Sequence, residues 1–178
     1  MRILVLGHGD HGKGTFCKML QPYGFESMSS SQAALPFIFP TLNAALYGTI
    51  PSWQKPRIAD YYETQAEAYA DRRNHRRLWK ELISLLNTPD KTTLTRIILN
   101  QVEIYDGMRC HLEFEASRDL FDMIVWVDRS QRVGPDPSMS IQYKPYMIKL
   151  DNNGTLCQLR DQVKMLNTLI KEARNGRV

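Results

Sequence analysis

Cysteine is scarce in this chain, and long apolar stretches are missing altogether. The 178 residues include three cysteines. Cys17, Cys110 and Cys157 are isolated and odd in number, which excludes a disulfide framework or a CxxC metal site and fits a reducing cytoplasm. No run approaches the roughly 20 apolar residues of a membrane-spanning helix. The N-terminus passes from Met1 through Leu6 straight into glycines, without the basic region and small-residue cleavage site of a secretory leader. A cytoplasmic protein with no membrane partner is therefore expected. Internal repeats, low-complexity segments and linkers are also lacking. So is a large charge excess: 23 Lys+Arg against 19 Asp+Glu leave a net +4. That mild balance hints at a polyanionic partner without requiring one. With 43% hydrophobic and 24% charged residues, the chain is too apolar for disorder and has enough apolar material for a normal core. Its length suits one domain spanning residues 1–178.

Hydrophobic periodicity predicts strands alternating with helices. Arg2–Leu6 reads as a buried strand stopped by Gly7. Residues 13–21 read as a helix ended by Pro22, and Phe25–Met28 as a second strand. Ser29–Ser31 have the composition of a loop or helix cap. Residues 32–58 carry Pro36, Pro40, Pro51 and Pro56 among aromatics, which predicts short helices broken by loops. Helical patterns follow over Ala59–Leu86, Thr92–Gln101 and Arg109–Leu120. Strands are expected at Val102–Tyr105, Met123–Val127 and Tyr146–Leu150. Ser130–Ser140 reads as a loop and Asp151–Gly154 as a turn. Leu156, Leu159, Val163, Leu166 and Ile170 mark a terminal amphipathic helix. Apolar strands alternating with helices describe a three-layer α/β domain with a mainly parallel sheet and a helical insertion at about 32–100.

The sharpest motif is Gly7-His8-Gly9-Asp10-His11-Gly12-Lys13-Gly14-Thr15, which fits GxxxxGK between a strand and a helix. Glycines let backbone N–H groups turn toward phosphate oxygens, and the helix that follows presents its positive end to them. Lys13 would reach the β- and γ-phosphates of ATP, and Thr15 would help hold Mg²⁺. Asp10 and His11 read as solvent-facing residues of the loop tip, or as groups near the acceptor. The strict motif has Ser or Thr directly after the lysine. Here Gly14 intervenes, and the resulting GKGT resembles nucleoside monophosphate kinases of the adenylate kinase type.

Further segments carry the resemblance over most of the chain except residues 32–58. Asp71-Arg72 resembles the Asp-Arg element with which thymidylate kinases hold their acceptor. Tyr105-Asp106-Gly107-Met108-Arg109, with Glu113 after it, resembles the GMR…E segment of deoxynucleoside monophosphate kinases encoded by tailed phages. Phe121–Arg129 is similar to the strand before the lid in that group. Asp151–Leu156 resembles its adenine-side loop and that of dephospho-coenzyme A kinases. A related phage group, the 5-hydroxymethyluridine DNA kinases, phosphorylates a base within DNA. The resemblance implies a single P-loop NTPase domain of nucleoside monophosphate kinase type with a short lid, acting in the cytoplasm of an infected cell. A homodimer is compatible with it.

The acceptor side rests on one helix. On a continuous helix over 72–86, Arg72, Arg73, Arg76, Arg77 and Lys80 share an arc of roughly 140°. Leu78, Trp79, Leu82, Leu85 and Leu86 take the complementary arc. One or two arginines would serve a mononucleotide phosphate; five suggest a DNA backbone. Trp53, Tyr61 and Tyr62 are core aromatics, or platforms for a flipped base. Asp106 ends an apolar strand, as a catalytic base or an organiser of Mg²⁺. Asp60, Glu63 and Asp71 are weaker base candidates, while His75 and His111 read as packed or capping residues. Arg109 faces the phosphates or a structural partner, and Arg129 and Arg132 would close over the γ-phosphate as fingers. Asn152, Asn153 and Gly154 would meet the adenine edge or form a tight turn. Two acceptors stand close: the hydroxymethyl group of 5-hydroxymethyl-deoxyuridine in phage DNA, and a free deoxynucleoside monophosphate. A non-catalytic nucleotide-binding module is a third reading, and it leaves Asp106 and Arg109 without a role.

Overall fold

Ile3–Leu6 (β1) has all four side chains fully buried, so the strand needs cover on both faces. In the computed structural model, which describes residues 1–52 and 61–175, that cover comes from helices on both sides of a five-stranded sheet. The other strands are Ser27–Ser29 (β2), Ile104–Asp106 (β3), Met123–Asp128 (β4) and Ile148–Asp151 (β5). Their order is β2-β3-β1-β4-β5, and every pairing is parallel. Alternate residues of β1 point to opposite layers. Ile3 and Val5 pack with Lys13–Leu20 (α1) and Leu156–Asn175 (α7) through Phe16, Leu20, Val163, Leu166 and Ile170. Leu4 and Leu6 join Ser30–Thr49 (α2), Gln65–Asp71 (α3), Arg76–Leu86 (α4), Thr93–Leu99 (α5) and His111–Ser117 (α6) in the other layer. The chain leaves β1 for β2 and β3 on one side, then crosses to β4 and β5 on the other. Its direction thus reverses at the carboxyl end of β1, where open α/β sheets form their crevice.

Two expectations fail. Residues 32–49 are not broken helices: α2 runs unbroken for 20 residues, with Pro36 and Pro40 inside it. The prolines stand four apart on the exposed face, so the carbonyls they leave unpaired face water. The opposite stripe, Ala34, Leu35, Ile38, Leu42 and Leu46, is buried, and that packing holds the helix. Ser29 starts it with a capping box to Gln32. Buried Asn43 then pins the following segment, donating to the Tyr62 carbonyl at 3.0 Å and accepting its N–H at 2.9 Å. Trp53, Pro56, Asp60 and the start of the helix expected from Ala59 lie outside the described residues.

Nor does one helix span 72–86. The chain turns through Arg72–His75 between α3 and α4. Asp71 drives the turn. Its carboxylate takes the Tyr62 hydroxyl at 2.5 Å, the His75 ring at 3.1 Å and the amide of Asn74. Such local acceptors compete with helical continuation. The expected arc of five cations therefore does not exist as one helix face. The remaining strands and helices fall within a few residues of expectation. All three cysteines are free thiols. No helix among the described residues is long and apolar enough to cross a membrane.

Candidate functional site

The glycine loop joins the carboxyl end of β1 to α1. Gly7 has φ +140°, and a side chain there would run into the Val127 carbonyl of β4. Gly12, at φ +93°, lies equally close to the Asn152 amide. Neither position tolerates a Cβ, so the loop is tightly framed by the sheet and by the turn after β5. Lys13 curls back over the loop, donating to the carbonyls of Gly7 at 2.8 Å and His8 at 2.7 Å. Burial lowers its pKa, and Asp106 opposes that shift. Gly14 and Thr15 are exposed in the first turn of α1.

Asp10 is exposed at the loop tip with φ +58°, as expected. His11 is not: it is 1% exposed. Its Nδ1 accepts the Arg129 N–H at 3.1 Å, so its proton sits on Nε2 and is donated to the Val133 carbonyl at 3.2 Å. His8 likewise accepts the Asp136 N–H through Nδ1, at 3.1 Å. Two imidazoles thus bind the β4–β5 crossover to the glycine loop. Burial, followed by nearby His11, lowers the His8 pKa.

Asp106 ends β3 between two neighbours, in register with Val5 of β1 and Ser29 of β2. Its carboxylate makes no hydrogen bond among the described residues. Burial pushes its pKa up, opposed by the charges of Lys13 and Arg109. Arg109, just beyond β3, pairs with Asp136 and donates to Ser138 Oγ at 2.5 Å. Sequence reasoning missed Asp136. Its only signal is a place between Pro135 and Pro137 in a loop that also carries two arginines. Glu113 lies buried on α6, its pKa raised by burial and held back by a hydrogen bond from Asn87.

A cleft of about 190 Å³ opens beside the loop, lined by Gly12, Thr15, Arg129, Arg132, Gly154 and Leu156 among others. Arg129 Nε is buried without a hydrogen-bond partner among the described residues. Asn152 helps build the cleft wall, and Asn153 follows it in the turn after β5. Asn152 donates to the His11 carbonyl at 2.9 Å, and Asn153 accepts the Gln131 N–H at 2.9 Å. Their amides are committed to the protein, so a ligand edge in the cleft would meet Gly154 and the arginines.

On the far side, Arg72 lies over the Tyr69 ring at 3.9 Å, and the Tyr69 hydroxyl reaches Ser29 Oγ at 3.4 Å. Arg72 is thereby tied to the end of β2, one strand from Asp106. Arg73, Arg76 and Lys80 are exposed without carboxylate partners among the described residues, while Arg77 pairs with Glu81 at 2.9 Å. Tyr62 is buried and Tyr61 half-exposed, their rings edge-to-face at 4.8 Å. They border an open cleft with Glu63, Glu67 and Asp71. His75 binds Asp71, and His111 lies 3.9 Å from Glu115.

The described residues contain no group of three His, Cys, Asp or Glu side chains able to hold an ion. Mg²⁺ typically takes one or two protein oxygens and completes its shell with water and phosphate, and Thr15 and Asp106 offer such oxygens. Compared with known proteins, the chain matches no protein-family model and no curated protein sequence.

Proposed function

We propose that the chain is a kinase with a P-loop NTPase fold of the nucleoside monophosphate kinase type. It transfers the γ-phosphoryl group of ATP to a deoxynucleotide acceptor. The observation that carries this reading is the order of three strand ends. Ser29 stands at β2, with Tyr69 on it and Arg72 on the Tyr69 ring, Asp106 stands at β3 and the Lys13 loop at β1, side by side. An acceptor, a carboxylate and a phosphate cradle are wanted in that sequence for in-line transfer.

In this mechanism Lys13 exchanges its bonds to Gly7 and His8 for the β- and γ-phosphates. The glycine-loop N–H groups and the amino end of α1 complete the cradle. Arg109, Arg129 and Arg132 stabilise charge on the transferring group, and the cleft beside Gly154 receives the nucleoside end of the donor. Thr15 would help hold Mg²⁺, which would screen the phosphate oxygens, and Asp106 serves either as the base or as a second oxygen ligand of that ion.

The favoured acceptor is the hydroxymethyl group of 5-hydroxymethyl-deoxyuridine in phage DNA. An alcohol needs a base, and Asp106 is a desolvated carboxylate without a hydrogen-bond partner among the described residues, its proton affinity raised by burial. Exposed Arg73, Arg76 and Lys80 suit a DNA backbone. The second reading, a free deoxynucleoside monophosphate, draws on the break at 72–75, which splits the five cations and leaves Arg72 on the Tyr69 ring, whose hydroxyl reaches the β2 end. Labelled ATP offered in parallel with deoxynucleoside monophosphates and with 5-hydroxymethyluracil duplex separates the two. Label on the duplex is expected; label on free nucleotides alone would overturn the DNA reading, and label on neither would overturn the kinase.

A further inference from the structure

The β4–β5 crossover returns to the glycine loop at Asp136. A side chain on Gly9 would begin 2.7 Å from Asp136 Oδ2, so this carboxylate rests directly on the loop. Its own N–H is held by His8. The carboxylate has two further jobs. Oδ1 accepts the Ser138 N–H at 2.9 Å and the Ser138 hydroxyl at 2.6 Å. Oδ2 takes Nη1 of Arg109, and Ser138 Oγ accepts from the same Nη1 at 2.5 Å.

A guanidinium carries five N–H donors in a rigid fork. Arg109 spends only its Nη1 here; Nε and Nη2 bind no protein group among the described residues. Its charge is felt at both Lys13 and Asp106. Burial alone would raise the Asp136 carboxyl, but the Ser138 hydroxyl and N–H, with Arg109, hold it well below the usual carboxylate range. Asp106 is pushed the opposite way. Two carboxylates around one arginine are thus divided, one toward carrying a proton and one toward permanent charge.

We propose that Asp136 is a positioning residue of the reaction site: it grips one edge of Arg109 and leaves the other donors aimed at the phosphate in transfer. The inference rests on the kinase reading and adds to it a side chain from the crossover. Seating of that crossover on the glycine loop and orientation of Arg109 depend on the same residue, because Asp136 makes both sets of contacts.

Two measurements test it. NMR of the labelled Arg109 guanidinium reads its rotation without any turnover. Slow rotation is expected in the wild type and fast rotation in Asp136→Asn; fast rotation in the wild type overturns the clamp. In turnover, Asp136→Asn should lower kcat roughly 10- to 100-fold. ATP affinity should stay within about threefold, and the change should cost nothing further in an Arg109→Ala background. An unchanged kcat, or losses that add in the double variant, overturns the positioning role. Should Asp136→Asn fail to fold, Ser138→Ala removes a partner of both residues and should give the same pattern, smaller. A wild type that phosphorylates neither acceptor yet keeps Arg109 rigid overturns the kinase reading and leaves the clamp standing.

Discussion

The buried imidazole of His11 accepts the backbone N–H of Arg129 at 3.1 Å, across 118 residues of chain. With Nε2 given to Val133, the ring fills both of its hydrogen-bonding positions on the crossover. A residue at the tip of a glycine loop has become an internal strut. His11→Ala would orphan an N–H and a carbonyl and leave a cavity, costing about 2–4 kcal/mol. Urea unfolding of the two proteins gives the figure directly; a loss under about 0.5 kcal/mol, the range of ordinary surface changes, would show that the strut bears nothing.

His8 sets a pH dependence with a definite sign. Its Nδ1 must stay unprotonated to accept from Asp136, and burial lowers its pKa from 6.5. Between the lowered value and 6.5 the unfolded chain binds a proton that the folded chain refuses, so stability rises with pH in that window. The contribution is complete above the unfolded pKa and is lost as pH falls through the folded one. Unfolding curves at several pH values should show a steeper fall toward acid for the wild type than for His8→Gln. Parallel curves would remove His8 from the account.

Asp106 separates base from metal organiser. Asp106→Asn should slow transfer to a hydroxymethyl acceptor by about 10²–10⁴-fold, the usual worth of a general base. A phosphate acceptor is already a nucleophile and should lose far less. Single-turnover rates with both acceptors decide it, and equal losses would assign Asp106 to Mg²⁺ instead. Lys13→Ala should abolish transfer to either acceptor, with donor binding weakened as well.

Arg73 and Arg76 are exposed cations, and their effect should depend on salt. If DNA is the acceptor, Arg73→Gln with Arg76→Gln should weaken duplex binding and reduce the slope of log K against log salt by about 1 for each phosphate that is no longer neutralised. Fluorescence anisotropy from low to moderate salt reads that slope. An unchanged slope would confine the acceptor to a mononucleotide.

Much of the molecule is written in local pattern. The apolar run Ile3–Leu6, the glycines after it and the amphipathic periodicity of α7 each follow from near neighbours, and each appears where the residues point. Asp106 at a strand end was legible for the same reason. The turn at 72–75 was not: Asn74 and His75 meet Asp71 locally, but the Tyr62 hydroxyl that also holds that carboxylate arrives from outside the helix and is set by the fold. Pro36 and Pro40 misled because proline breaks a helix by local rules, whereas a buried opposite stripe can outweigh them.

By itself, then, the sequence determined the glycine loop with Lys13, the alternation of strands and helices, and the residue types available for phosphate chemistry. Those depend on the spacing of neighbours along the chain. Tertiary structure alone decided the strand order that sets Asp106 between Ser29 and Val5, the burial of His11, and the grip of Asp136 on Arg109. Each joins residues far apart in sequence, and pairings of that kind arise only when a parallel sheet brings separate loops to one edge.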